Sequence, residues 1–354
     1  MSEDINAYKY DFTTEVVALR KSLGALGDKF IYANLEYADN QPPKGGEHKT
    51  FNLRVAAGKL ATPENVKTAS DFINQYYKNP HQSSEAFPSN DGYFALAFNN
   101  LDNSINVGLG PENAELMRLF AFYHETAHAL IPGGPKTDSA HAFRECAADA
   151  YAALNLIQRF GQDAIPFIST MSWLRSYEAI MTGNTSHLST TVLDRIIAES
   201  KNYYNFSAFS VPETVARART YATDAAPTPA MLQQTRKIFD GMQKDSTAAG
   251  TAHLVMETAL ANASNFAFYI GARYFAPFTD KAGFDFNGTF QRYAAGVQKA
   301  YRQLIENRAD ITKMPDVAKL LGAKAGPSSA DKKSLAGFLS APPPTRQKHF
   351  TAKF

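Results

Sequence analysis

"PENAELMRLFAFYHETAHALIPGGPKTDSAHAFRECAADAYAALNLIQRFG", residues 111–161, holds two helical patterns separated by a chain reversal. The first opens on Pro111 with two early acids, Glu112 and Glu115, and stops at Pro132-Gly133-Gly134-Pro135. Its apolar positions Leu116, Leu119, Phe120, Tyr123 and Leu130 recur at helical spacing, which gives it a face to bury. The second helix takes Asp138 or Ser139 as its cap and has Gly161 just past its end. Residues four apart on a helix share a face, so His124 and His128 of "HETAH" can converge on one point. By the same rule His141, Glu145 and Asp149 form one stripe along the second helix.

Two imidazoles so placed suit a divalent transition metal, above all zinc. Glu125 is rotated about 100° from His124, and a carboxylate there can reach and deprotonate a water that the metal holds. With eight histidines in the chain, chance would produce His-Glu-x-x-His in roughly one such sequence in a hundred. No proline interrupts the motif, so the helix persists through both histidines. Two core histidines bonded to backbone carbonyls are the plainer alternative. Zinc sites that do chemistry use three protein ligands and leave a fourth place for water. Glu145 and His141 compete for the third place. Asp149, one turn beyond Glu145, could accept the second N–H of a ligand imidazole, which favours Glu145. Cys146 points about 100° away from Glu145 and reads as a small packing residue.

"HETAH" followed by "ECAAD" resembles the gluzincin class of zinc metallopeptidases, which includes the thermolysin-like enzymes. The resemblance covers residues 124–149, the active-site motif alone. It implies one zinc per chain, held by His124, His128 and Glu145, with Glu125 as general base, Asp149 orienting the first histidine, and a peptide or protein as substrate. The class also implies a later His, Tyr or Arg that stabilises the oxyanion of the tetrahedral intermediate. His187, in "GNTSHLSTTVLDRI", is the first candidate for that catalytic role, with Tyr177, Tyr203, Tyr204 and Arg195 as others. The metzincin pattern does not fit, because its third histidine would fall on Gly134. Two further readings stay open. Two histidines and a carboxylate also make the facial triad of non-haem iron enzymes, and a non-catalytic helical partner-binding protein could keep a structural or decayed metal site.

Outward from this motif, the fold class expected is α+β and predominantly α-helical, with zincin-like active-site helices and a short strand or hairpin before the first. The strand candidates are 92–98 and 104–109, joined by the turn-like "NNLDN". Such a pair could align an extended peptide along its edge. Helical patterns cover roughly 7–25, 63–78, 163–181, 190–203, 210–222, 228–246, 252–275 and 288–308. Three parts follow: 1–162 with the strands and the motif helices, a helical part 163–321 that closes a cleft, and a basic, Pro-containing flexible tail 322–354. The plain reading of the tail is a solvated segment, and the sharper one a docking arm for an acidic partner.

Composition narrows the classes. A net charge of +2 on 354 residues gives no reason to expect nucleic acid as a partner. No run of about 18 apolar residues calls for membrane insertion, and "MSEDINAYKYDF" has no apolar core of a secretion signal. One cysteine, Cys146, permits no internal disulfide. These features together predict a cytoplasmic protein.

Overall fold

A computed structural model of the chain describes residues 12–24, 30–37, 51–55, 85–88, 94–99, 113–131, 137–200, 209–242 and 248–279. These residues are predominantly helical. The expected helices at 63–78 and 288–308, the strand 104–109 and the tail 322–354 lie outside them. Two compact units divide the chain, Met1–Gly133 with Ala208–Arg217, and Gly134–Ser207 with Ala218–Phe354. The division falls inside the sequence Pro-Gly-Gly-Pro.

In the first unit, α1 (Thr13–Leu23) precedes four strands, β1 (Phe30–Tyr37), β2 (Phe51–Val55), β3 (Glu85–Pro88) and β4 (Phe94–Asn99). The sheet order is β2-β1-β4-β3. Strands β1 and β4 pair in parallel, with Phe30 opposite Phe94. Strands β2 and β3 are antiparallel to their neighbours. Of the strand pair expected at 92–109, the first stretch is found as β4, which bonds to neighbours on both sides, and the second lies outside the described residues; among the described strands the outer one beside β4 is β3.

Helix α2 (Ala114–Leu130) follows β4 and lies against β3 and β4. Its apolar stripe meets α1 in a core of Phe12, Val16, Leu19, Phe122 and Ala129, with Leu23, Tyr123, Leu130 and Val211 packed around it. The Phe12 and Phe122 rings stack at 4.9 Å between centroids. Each fully buried aromatic or branched side chain here contributes about 1.5–3 kcal/mol. Arg118 lies over the Phe12 ring and bonds Glu115 at 2.8 Å and Glu15 at 3.4 Å, which joins α1 to α2 by charge as well as by packing.

The second unit is built on α3 (Asp138–Phe160). Every residue from 145 to 154 is buried, and a helix buried on all sides must sit at the centre of its bundle. Five alanines in that stretch (147, 148, 150, 152 and 153) let the neighbours approach closely. The cap is Thr137, whose hydroxyl accepts from the Ala140 N–H at 3.2 Å, one residue earlier than the expected Asp138 or Ser139. Gly161 ends the helix at φ 63, a conformation that favours glycine.

A single 3₁₀ turn leads into α4 (Ile165–Thr182), then α5 (Thr190–Glu199), α6 (Val211–Ala225) and α7 (Pro229–Asp240). Helix α6 begins in the first unit and ends in the second. The pattern at 252–275, expected as one helix, is two: α8 (Ala248–Ala261) and α9 (Asn265–Thr279). Ala263 turns left-handed at φ 51 between them, and the Ser264 hydroxyl accepts from the Ala267 N–H to start α9. Polar bonds tie the bundle. The Trp173 indole N–H donates to the Tyr274 carbonyl at 2.9 Å, and Asp194 of α5 takes both the Tyr269 hydroxyl and Arg273 of α9. No helix among the described residues is long and apolar enough to cross a membrane.

Candidate metal centre

In the first unit, α2 carries His124, Glu125 and His128. One helical turn stacks the two imidazoles, and their Nε2 atoms face each other at 3.0 Å with the rings at 84°. His124 is buried and His128 half-buried. Around the pair the helix is fixed: Phe120 stacks on His124, and the Thr126 hydroxyl donates to the Phe122 carbonyl at 2.7 Å. Two nitrogens so close cannot both present bare lone pairs. Either one ring donates its proton to the other, or both lone pairs turn to one cation. Ligand distances of about 2.0–2.1 Å in a tetrahedral zinc site imply an N···N edge of about 3.3 Å. The donor chemistry and spacing of this pair therefore fit zinc. Half-buried Glu125 adjoins it on the helix.

In the second unit, α3 brings His141, Glu145 and Asp149 into the expected stripe, and the loop between α4 and α5 adds His187. Glu145 is buried, with Oε1 at 3.5 Å from His141 Nδ1 and Oε2 at 3.4 Å from His187 Nε2. The other ring nitrogen of His187 lies 3.2 Å from Glu178 Oε1. Arg175 of α4 extends the network, reaching Glu178 Oε2 at 3.4 Å. It also grips fully buried Asp149 with two near-parallel bonds, Nε to Oδ2 at 2.8 Å and Nη2 to Oδ1 at 2.9 Å. The Ser189 hydroxyl donates to the same carboxylate at 2.5 Å.

The charges follow this wiring. Burial alone would raise the Glu178 carboxyl. The hydrogen bond from His187 and the charge of Arg175 outweigh it, so the group is held below the usual carboxylate range. For Arg175 burial works against the charge, but Asp149 and then Glu178 hold the guanidinium firmly protonated. Burial first, then Asp149 and Glu145, push the Cys146 thiol well above its ordinary value. Its sulfur lies 3.8 Å from the Leu188 carbonyl.

No protein-family model, curated protein or solved structure matches this chain.

Of the residues singled out from sequence, His124, Glu125 and His128 belong to the first unit, and Glu145, Asp149 and His187 to the second. Arg195 is buried and bonds Glu199 and Asp224 at 3.1 Å each. Tyr177 stacks on Trp173. Tyr203 and Tyr204 lie outside the described residues. Three members of the network were not singled out from sequence: Arg175, Glu178 and Ser189. The one available signal was an Arg-x-x-Glu pair on an otherwise uncharged α4, where a charge on a buried face needs a partner.

Proposed function

We propose that this chain is a zinc-dependent metallopeptidase, with His124, His128 and Glu145 as metal ligands and Glu125 as general base. One observation carries the reading: the Nε2 atoms of His124 and His128 meet at 3.0 Å on one face of a helix, with a glutamate next to the first. Glu145 as third ligand and Asp149 as the group orienting the first histidine rest on the motif resemblance. Zinc bound there supplies Lewis-acid polarisation of a carbonyl and lowers the pKa of water to about 7.

The chain's own groups do the rest. Glu125 takes the proton of the attacking water and later delivers it to the leaving amine. His187 when it holds no ion, or a tyrosine, steadies a developing oxyanion. An extended substrate adds to β3, the outer strand that lies against α2, through backbone hydrogen bonds.

The test is zinc content by mass spectrometry of untagged protein, beside turnover of a peptide library. His124→Ala/His128→Ala should lose one equivalent of zinc. Glu125→Gln should keep it and lose turnover by at least about a hundredfold, the lower range for a general base. Unchanged zinc in the first variant, or retained turnover in the second, refutes the reading.

A further inference from the structure

We propose that His141, Glu145 and His187 form a second divalent-metal site, contained wholly in the second unit and needing neither His124 nor His128, with Glu145 the one residue it shares with the ligands proposed above. Glu178, which pairs with Arg175, faces His187 Nδ1 at 3.2 Å. The opposite ring nitrogen, Nε2, faces Glu145 Oε2 at 3.4 Å. His141 Nδ1 faces the other oxygen at 3.5 Å. Two imidazole nitrogens and a carboxylate gathered in this way are a donor set that a divalent cation can join.

Distance selects which cation. An imidazolium bonded to a carboxylate closes to about 2.7–2.9 Å. Both gaps here are wider by half an ångström or more. They match instead the edge of about 3.4 Å between N and O ligands each about 2.1 Å from a tetrahedral ion. One donor atom from each of the three residues lies within 4.8 Å of the others.

The surroundings fit the same assignment. A ligating histidine usually gives its other N–H to a carboxylate, which fixes the ring and raises its basicity, and Glu178 occupies that place for His187. Arg175 in turn holds Glu178. An N₂O donor set favours zinc, cobalt, nickel or copper over magnesium or calcium. The His141 and His187 side chains are 44% and 33% exposed, so an ion can enter from solvent and keep water in its remaining positions. Such an ion would clip the loop at 183–189 to α3.

Isothermal titration of the full, untagged, metal-stripped chain with zinc tests this. The wild type should bind two equivalents if the reading of His124 and His128 also holds. His124→Ala/His128→Ala should still bind one, whatever the fate of that reading. Adding His141→Ala and His187→Ala to that background should abolish the remaining equivalent. Both residues are partly exposed, and unchanged circular dichroism would exclude unfolding as the cause. Glu178→Gln in the same background should weaken binding about 10–100-fold, as loss of an orienting carboxylate does. No zinc bound by His124→Ala/His128→Ala overturns the second site. Binding that ignores the His141 and His187 substitutions overturns it equally; the first pair is read separately, from the zinc lost between the wild type and His124→Ala/His128→Ala.

Discussion

Arg175→Met should destabilise the second unit strongly. Asp149 is fully buried, and its charge is met by the guanidinium through bonds of 2.8 and 2.9 Å. Two unit charges about 4 Å apart attract by about 4 kcal/mol at an effective dielectric constant near 20. Methionine keeps the volume and removes the charge, leaving a stranded carboxylate. Breaking a buried pair in this way costs about 3–5 kcal/mol. The partly exposed contact with Glu178 adds at most about 1 kcal/mol. For a unit of this size the loss corresponds to a melting point lower by about 6–20 °C. Urea unfolding followed by tryptophan fluorescence is the assay, because the chain's single tryptophan, Trp173, lies two residues from Arg175. Adding Asp149→Asn should recover at least half of the loss, since the amide oxygen can still accept from Ser189 and no charge remains. A single-variant loss under about 1 kcal/mol, or a double variant no better than the single, would show that Asp149 does not depend on Arg175.

Three further outcomes follow from packing and burial. A Cβ on Gly271 of α9 would meet Met256 Cγ and Val255 Cγ1 of α8 at 2.8 Å each. Gly271→Ala should therefore lose about 1–2 kcal/mol, although alanine is worth about 1 kcal/mol more than glycine in an open helix; a net gain in urea stability would rule out that close approach. Cys146 should resist a thiol reagent in the native protein and react fully in urea, because its thiol is buried and its pKa raised. Full labelling of the native protein at neutral pH within the mixing time would contradict this. Burial, then Tyr177, push the Tyr274 phenol up to about 12. A folded pKa above the unfolded one favours the protonated native state, so this contribution is complete below pH 10 and is lost between pH 10 and about 12. It amounts to at most about 3 kcal/mol, and Tyr274→Phe should flatten the alkaline fall in stability by up to that much; an identical alkaline limb would refute it.

Local geometry was legible in the sequence where one helix supplies all the partners. The meeting of His124 with His128 needs only a four-residue spacing and a helix that persists, and the stripe of His141, Glu145 and Asp149 needs the same. The ends of α3 were readable because the prolines of Pro-Gly-Gly-Pro interrupt the helical pattern and Gly161 suits the positive φ that ends it. The break between α8 and α9 was harder. Ala263 carries the left-handed turn where glycine would have announced it, and only Asn262 and Ser264 hinted at caps. The hidden part is the wiring. Asp149 finds Arg175 and Ser189, 26 and 40 residues away, because α5 packs against the alanine-rich α3 and α4 packs against α5, and no periodicity encodes which charge a buried carboxylate will meet. That partner changes what Asp149 means. Read from the motif, it is an accessory to a zinc ligand. In the second unit it is the anchor of a charge network that runs through Arg175 and Glu178 to His187 and returns to Glu145. Any metal chemistry at Glu145 is therefore coupled to α4, and substitutions at Arg175 should shift metal affinity without touching a ligand.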